Sequence, residues 1–342
     1  MDILKLNAIS PLADKILSGY DLVDESASPA GILVRSANMA EYDLPSSVLA
    51  VARAGAGVNN IPHADYAKRG VVVFNTPGAN ANAVKEMVIC EFMLAARNLA
   101  EGIKWASSLT GDDVAKQVEK GKKQFVGHEI AGKTLAVLGL GAIGRKVAAA
   151  ANALGMTVKG YDPYLSDAAK AEIPFVEVCP TAEEAYEDAN FVSLHMPATE
   201  ETKGMINSAA IAKMADGAVV VNAARGELAV VSDIKAALAG GKLHKYVCDF
   251  PTADINSCDG IIAVPHLGAS TEEAEDNCAV MAANELKDYI ENGNIVNSVN
   301  LPCLKAELKA KHRVAVLAKE GTALGTDGLS STAKGYTYTL ID

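Results

Sequence analysis

No apolar run in this chain approaches the roughly 20 residues that cross a bilayer, so a soluble protein with no membrane partner is expected. The opening residues, Met1-Asp-Ile-Leu-Lys-Leu6, lack the basic-then-apolar order of a secretory leader, and the cytoplasm is the expected location. Basic charge is also scarce: 31 lysines and arginines face 42 aspartates and glutamates, a formal net charge of −11. That balance argues against nucleic acid as a partner and makes any anionic substrate depend on a few local cations. The six cysteines, Cys90, Cys179, Cys248, Cys258, Cys278 and Cys303, include no C-x-x-C pair and no close Cys/His cluster. They read as reduced small hydrophobes, and neither a disulfide frame nor a metal site is expected.

What is present is length and alternation. Of the 342 residues, 50% are hydrophobic, enough for two domains with sizeable cores. The chain turns on Lys133-Thr-Leu-Ala-Val-Leu-Gly-Leu-Gly-Ala-Ile-Gly144, an apolar run that passes into glycines and then an Ala-rich helix. Gly139, Gly141 and Gly144 stand in the G-x-G-x-x-G order of a dinucleotide-binding strand–turn–helix. The helix that follows, Arg145–Leu154, would turn its N-terminal N–H groups and dipole toward a pyrophosphate, with Ala142 and Ile143 of the turn among the cofactor contacts. A second strand, Thr157–Asp162, ends in an acid 18 residues past Gly144. At that spacing a carboxylate accepts hydrogen bonds from an adenosine ribose and repels a 2′-phosphate, so NAD is expected over NADP.

Upstream, the β-rich runs Ile3–Ile9, Gly31–Arg35, Val48–Ala54 and Val71–Asn75 alternate with helical or loop segments, which predicts a parallel sheet. Ligands bind such sheets at the carboxyl ends of the strands, making Arg35, Ser36, Arg53, Asn80 and Asn82 candidate anion contacts. A long helix follows from Asn82, then a polar helical arm, Glu101–Gly127, with the single tryptophan, Trp105. After the glycine turn, strands are predicted at Phe175–Cys179, Phe191–Met196, Ala218–Ala224, Tyr246–Phe250 and Ile261–Pro265. A second long helix spans Glu272–Asn292, capped by Ser/Thr and stopped by Gly293. Three of these strand ends carry unusual residues: Arg225, suited to gripping a carboxylate through two hydrogen bonds, His266, suited to moving a proton, and Asp249.

The stretches Gly139–Gly144, Ser193-Leu-His-Met-Pro197, Val221-Asn-Ala-Ala-Arg-Gly226 and Pro265-His-Leu-Gly-Ala-Ser270, in this order, resemble the D-isomer-specific 2-hydroxyacid dehydrogenases over roughly residues 1–301. The resemblance implies an α/β fold of two doubly wound parallel-sheet domains with a cleft between them. One would be flavodoxin-like and substrate-binding (1–83 and 272–301), the other a Rossmann domain for NAD (84–271). It implies that Arg225 binds the substrate carboxylate and that His266 is the acid/base. Asp249 would meet the nicotinamide end and Asp162 the ribose. His195 and Pro197 would line the adenine side, and Ala223 and Gly268 would complete the cofactor contacts. The implied reaction is NAD-dependent oxidation of a phosphorylated 2-hydroxy acid, 3-phosphoglycerate, by a homodimer or higher homo-oligomer. A hydroxypyruvate or glyoxylate reductase, and an NAD-dependent binding protein akin to transcriptional corepressors, are the alternatives.

Two departures stand out. Family members usually carry a glutamate, the partner of the histidine, a few residues after the aspartate. Here the stretch is Asp249-Phe-Pro-Thr-Ala-Asp-Ile255, and Asp254 is the candidate replacement. Members acting on 3-phosphoglycerate often continue into a serine-sensing ACT domain. Residues 302–342 offer only its strands, near Lys311–Lys319, Thr322–Gly325 and Gly335–Ile341. About 40 residues are too few for an independent core, so these strands are expected to pair with another subunit or chain.

Overall fold

The near-continuous apolar runs of the first 80 residues become strands buried on both faces, as parallel sheets require. The structure, a computed structural model, describes residues 1–256, 258–323, 325 and 327–342. Along the first segment run β1 (Asp2–Lys5), α1 (Leu12–Ile16), β2 (Asp21–Val23), β3 (Gly31–Val34), β4 (Ala50–Arg53), α2 (His63–Lys68) and β5 (Val72–Phe74). All five strands are parallel, in the order β2-β1-β3-β4-β5. The sequence predicts four of them. The other, β2, is a three-residue edge strand with no periodicity to announce it.

The chain then builds a second unit, Ala81–Ser270, before returning to the first with Thr271–Asp342. The second unit contains α3 (Ala81–Ala96), α4 (Leu99–Ser108), α5 (Val114–Gly121), β6 (Thr134–Leu138), α6 (Ala142–Ala153), β7 (Thr157–Tyr161), α7 (Asp167–Ala171) and β8 (Val176–Val178). It continues with α8 (Ala182–Tyr186), β9 (Phe191–Leu194), α9 (Ser208–Lys213), β10 (Ala218–Asn222), α10 (Val231–Ala239), β11 (Leu243–Cys248) and β12 (Ile261–Ala263). The seven predicted strands form one sheet, β12-β11-β10-β9-β6-β7-β8, and every pairing in it is parallel. Strand order reverses at β6, which pairs with β7 on one side and β9 on the other. That switch point is where a doubly wound sheet opens a crevice for a ligand.

The return begins with α11 (Glu272–Asn292). Thr271 Oγ1 caps it by accepting the Ala274 N–H at 3.1 Å, and Gly293, at φ 68°, ends it. Cys278, Ala279, Ala282, Ala283 and Leu286 of α11 join the core of the first sheet. The tail forms β13 (Val314–Lys319), β14 (Leu329–Ala333) and β15 (Tyr336–Ile341), in the antiparallel order β13-β15-β14.

Two expectations for the tail are corrected. The second strand in chain order is Leu329–Ala333 rather than Thr322–Gly325, of which Leu324 lies outside the described residues. The Lys334-Gly335 turn, both residues at positive φ, sets that register as tight hairpins do. The strands also pair with one another rather than waiting for another chain. They need no core of their own, because Tyr338 and Leu340 are buried in the same cluster as α11.

Candidate active site

The three glycines after β6 answer to different neighbours. Gly139 has φ 95°, and a Cβ there would lie 2.6 Å from the carbonyl oxygen of His195. A Cβ on Gly144 would overlap the carbonyl oxygen of Gly139. Both are required by the protein's own packing. Gly141 is not: a Cβ there would meet nothing within 4 Å. It is the N-cap of α6 and supplies no side-chain cap, so the helix opens at Ala142 beside open space. A pyrophosphate fits that arrangement. At the end of β7, Asp162 accepts the Leu140 N–H through Oδ2 and the Tyr164 N–H through Oδ1, both at 2.9 Å. Each oxygen keeps a lone pair for a ribose hydroxyl.

His195 follows β9 and is tied to the glycine strand by its N–H to Leu138 O at 2.8 Å. Its Nε2 pairs with Ser193 Oγ at 2.8 Å, and burial of the ring pushes its pKa down to about 3, so the imidazole is neutral. Pro197 is exposed, its carbonyl accepting from Thr202 Oγ1 at 2.7 Å.

The end of β10 is organised by Asn222, a fully buried amide closing an apolar strand. Its Nδ2 donates to Arg225 O at 2.8 Å and to Tyr246 Oη at 3.2 Å, while its Oδ1 accepts the N–H groups of Ala224 and Arg225, both at 3.2 Å. These bonds fold the backbone around Ala223 into the turn that carries Arg225. The arginine is half-buried, and its Nη1 donates to Ala224 O at 2.6 Å. Sequence reasoning gave Asn222 no part. Its signal was one polar residue at the end of Ala-Val-Val-Val.

Asp249, at the end of β11, is 2% exposed. Its Oδ1 accepts the Leu267 N–H at 2.8 Å and its Oδ2 the Gly268 N–H at 2.9 Å. The protein's own backbone thus occupies both oxygens, and the carboxylate holds the turn that begins at His266. A Cβ on Gly268 would come within 3.0 Å of Asp249 Oδ2, so glycine is what lets that turn close. His266 itself has φ 54°, donates its N–H to Val264 O at 2.9 Å and is exposed. Its ring meets Phe250 edge-on. Asp254 is exposed, and among the described residues it makes neither a hydrogen bond nor an ion pair with His266. The structure therefore does not bring the proposed substitute carboxylate to the histidine. Asp254 lies in the turns after β11, whereas Phe250, one residue past Asp249, reaches the ring.

In the first unit, Arg35 follows β3 and Arg53 ends β4, the strand beside it. Arg35 Nη2 is paired with Glu275 Oε1 of α11. Arg53 Nε donates to Arg35 O and to Asn60 Oδ1, each at 3.0 Å, which ties the two strand ends together. Ser36 Oγ accepts from Asn7 Nδ2 at 2.8 Å. The Asn80 amide oxygen is buried without a hydrogen-bond partner among the described residues. Asn82, at the start of α3 in the second unit, donates to Glu86 Oε1 at 2.8 Å on the exposed helix surface. Among the described residues no group of His, Cys, Asp and Glu could hold a metal ion, and no helix is long and apolar enough to cross a membrane.

The D-3-phosphoglycerate dehydrogenase of Synechocystis sp. is 33% identical over 320 residues, covering 90% of this chain and 56% of that one. That of Bacillus subtilis is 33% identical over 308 residues, covering 86% and 57%. The chain spans little more than half the length of these relatives. The NAD+-bound 3-phosphoglycerate dehydrogenase of Entamoeba histolytica superposes with a TM-score of 0.70 at 26% identity, covering 88% of this chain and 98% of that one. The D-mandelate dehydrogenase of Rhodotorula graminis shares the fold, with a TM-score of 0.74 at 21% identity over 87% and 97% of the two chains. Residues 92–268 match the model described as D-isomer specific 2-hydroxyacid dehydrogenase, NAD binding domain, which is more than half of the chain. By that match the chain belongs to the D-isomer specific 2-hydroxyacid dehydrogenase family.

Proposed function

We propose that the chain oxidises 3-phosphoglycerate to 3-phosphohydroxypyruvate. The carrying observation is that Arg225 and the His266 turn stand at the carboxyl edge of the sheet that holds the glycine turn, each fixed by one buried side chain, Asn222 and Asp249. The Arg225 guanidinium, with one Nη1 hydrogen committed to Ala224 O, keeps donors to bind the substrate carboxylate and draw charge onto the C2 oxygen. His266, exposed and steadied by Phe250, takes the C2 hydroxyl proton in oxidation and returns it in reduction. The amides after Gly141 and the Asp162 carboxylate would hold NAD, which would supply the hydride acceptor. Arg35 and Arg53 are the candidates for a second anionic group on the substrate. The names of the relatives at 33% identity support the phosphorylated acid.

The test is NADH formation from 3-phosphoglycerate at alkaline pH with the product removed. Arg225→Ala and His266→Ala should each reduce kcat/KM by about 10²–10⁴-fold. Wild-type protein that binds NADH but turns over no 2-hydroxy acid in either direction would overturn the reading.

One observation favours a second reading, reduction of hydroxypyruvate or glyoxylate. Glu275 already neutralises Arg35, leaving less charge for a phosphate. A higher kcat/KM with hydroxypyruvate than with its phosphate would select it.

A further inference from the structure

Glu91 is out of place in its surroundings. On α3 the buried positions Val84, Val88, Glu91, Phe92 and Ala95 fall at helical spacing, and the helix packs on β10, β11 and α6. Four of the five are apolar. Glu91 is 0% exposed, and neither of its carboxyl oxygens has a hydrogen-bond partner among the described residues. A carboxyl so placed is held as the neutral acid, because no cation or donor repays the loss of water around its charged form. Burial first, and the negative charge of Asp249 second, push its pKa up to about 8.

The neighbours give that acid a use. Asp249 and Cys248, at the end of β11, are the titratable groups that face it. From β10 and α6, α3 meets the apolar Val219, Val221, Val147, Ala148 and Ala151. The same helix touches the far side of the His266 turn: Val84, seven residues before Glu91 on the same face, would lie 3.8 Å from a Cβ built on Gly268. Asp249 holds that turn through the Leu267 and Gly268 amides. One carboxylate in this dry pocket is stabilised by two N–H donors. A second would repel the first and draw water between α3 and β11.

We propose that Glu91 is a positioning residue for His266: as a neutral acid it leaves Asp249 the single negative charge behind the turn, and its ionisation weakens the hold of Asp249 on Leu267 and Gly268. This rests on the reading of His266 as the acid/base, but the turn can be observed without turnover. The first measurement follows the amide resonances of Leu267 and Gly268 between pH 6.5 and 9.5, in wild type and in Glu91→Gln, which keeps the shape and cannot ionise. Wild-type resonances should titrate with a midpoint near 8, and those of Glu91→Gln should stay flat. The second measurement compares kcat/KM of the two proteins over the same range. The ratio of Glu91→Gln to wild type should rise by about tenfold from pH 7 to pH 9.5. Glu91→Met, a second uncharged variant, should reproduce the flat resonances. Resonances that titrate alike with and without Glu91 would overturn the proposal, as would a pH-independent activity ratio. Resonances that behave as expected in a protein with no turnover would leave Glu91 coupled to the turn and overturn the dehydrogenase reading instead.

Discussion

Phe250 meets the imidazole of His266 edge to face, with ring centroids 5.2 Å apart and planes at 66°. An aromatic edge can fix a ring's orientation but cannot accept its proton or raise its basicity as a carboxylate does. Phe250→Ala removes a contact worth about 0.5–1.5 kcal/mol and should lower kcat by about tenfold. Asp254→Ala should keep kcat/KM within about threefold of wild type with the pH profile unmoved, because its carboxylate is exposed and unconnected to the ring. Steady-state kinetics across pH distinguish the two. A collapse of activity in Asp254→Ala would show that the loop closes on His266 during turnover.

Asn222 ties the turn that presents Arg225 to Tyr246 of the neighbouring strand. Truncating a fully buried amide leaves its backbone partners unsatisfied, so Asn222→Ala should lose about 2–3 kcal/mol of stability. Its kcat/KM should fall by about 10²-fold as the arginine loses its position. Tyr246→Phe removes one hydrogen bond, about 1 kcal/mol, and should leave the kinetics nearly intact. Denaturant unfolding with parallel kinetics checks both. Equal kinetic losses in the two variants would contradict the assignment.

The glycines of the turn should separate folding from binding. Gly144→Ala overlaps the backbone of Gly139 and should prevent a stable fold. Gly141→Ala adds a methyl group to open space, so it should melt near wild type yet bind NADH at least about tenfold more weakly, because the methyl stands where a pyrophosphate approaches. Melting curves and NADH fluorescence titration give the comparison. Unchanged NADH affinity in Gly141→Ala would place the cofactor elsewhere.

Two buried acids make the fold sensitive to alkali. Burial raises the pKa of Glu91 to about 8 and of Glu285 to about 7, where an unfolded glutamate titrates near 4.5. Between those values the unfolded chain has released protons that the folded chain keeps, so stability falls as pH rises from about 4.5 and levels off above about 8. For Glu91 the loss by pH 9 is on the order of 5 kcal/mol. Glu91→Gln should therefore raise Tm at pH 9 more than at pH 5. An equal effect at both pH values would mean that Glu91 ionises normally.

The Rossmann sheet was legible because its central strands, Thr134–Leu138, Phe191–Leu194 and Ala218–Asn222, are mostly apolar runs between turn residues, a pattern that buried parallel strands impose on the sequence itself. The glycine turn was legible in part for a related reason: the contact of Gly144 with Gly139 acts over five positions, whereas the approach of Gly139 to His195 leaves no local mark. The holding contacts were not. Asp249 clamps amides 18 residues further on, and Asn222 bonds to Tyr246, 24 residues away. Which side chains meet at such distances is decided by strand order, which no local pattern carries. The proposed pairing of Asp254 with His266 fell short for the same reason, since a spacing rule says nothing about where an irregular loop puts its carboxylate. The second tail strand was displaced because the Lys334-Gly335 hairpin, rather than the run before it, chose the register.

The interrupted path of the first unit also sets a timetable for synthesis. Part of its core waits for α11, which adds Cys278, Ala279, Ala282, Ala283 and Leu286, and the second unit, Ala81–Ser270, is translated in between. At about 5–20 residues per second, the first strands leave the ribosome roughly ten to forty seconds before α11. The continuous unit is free to fold within that interval. The core of the first sheet is therefore completed only after the whole of the unit inserted into it has been made.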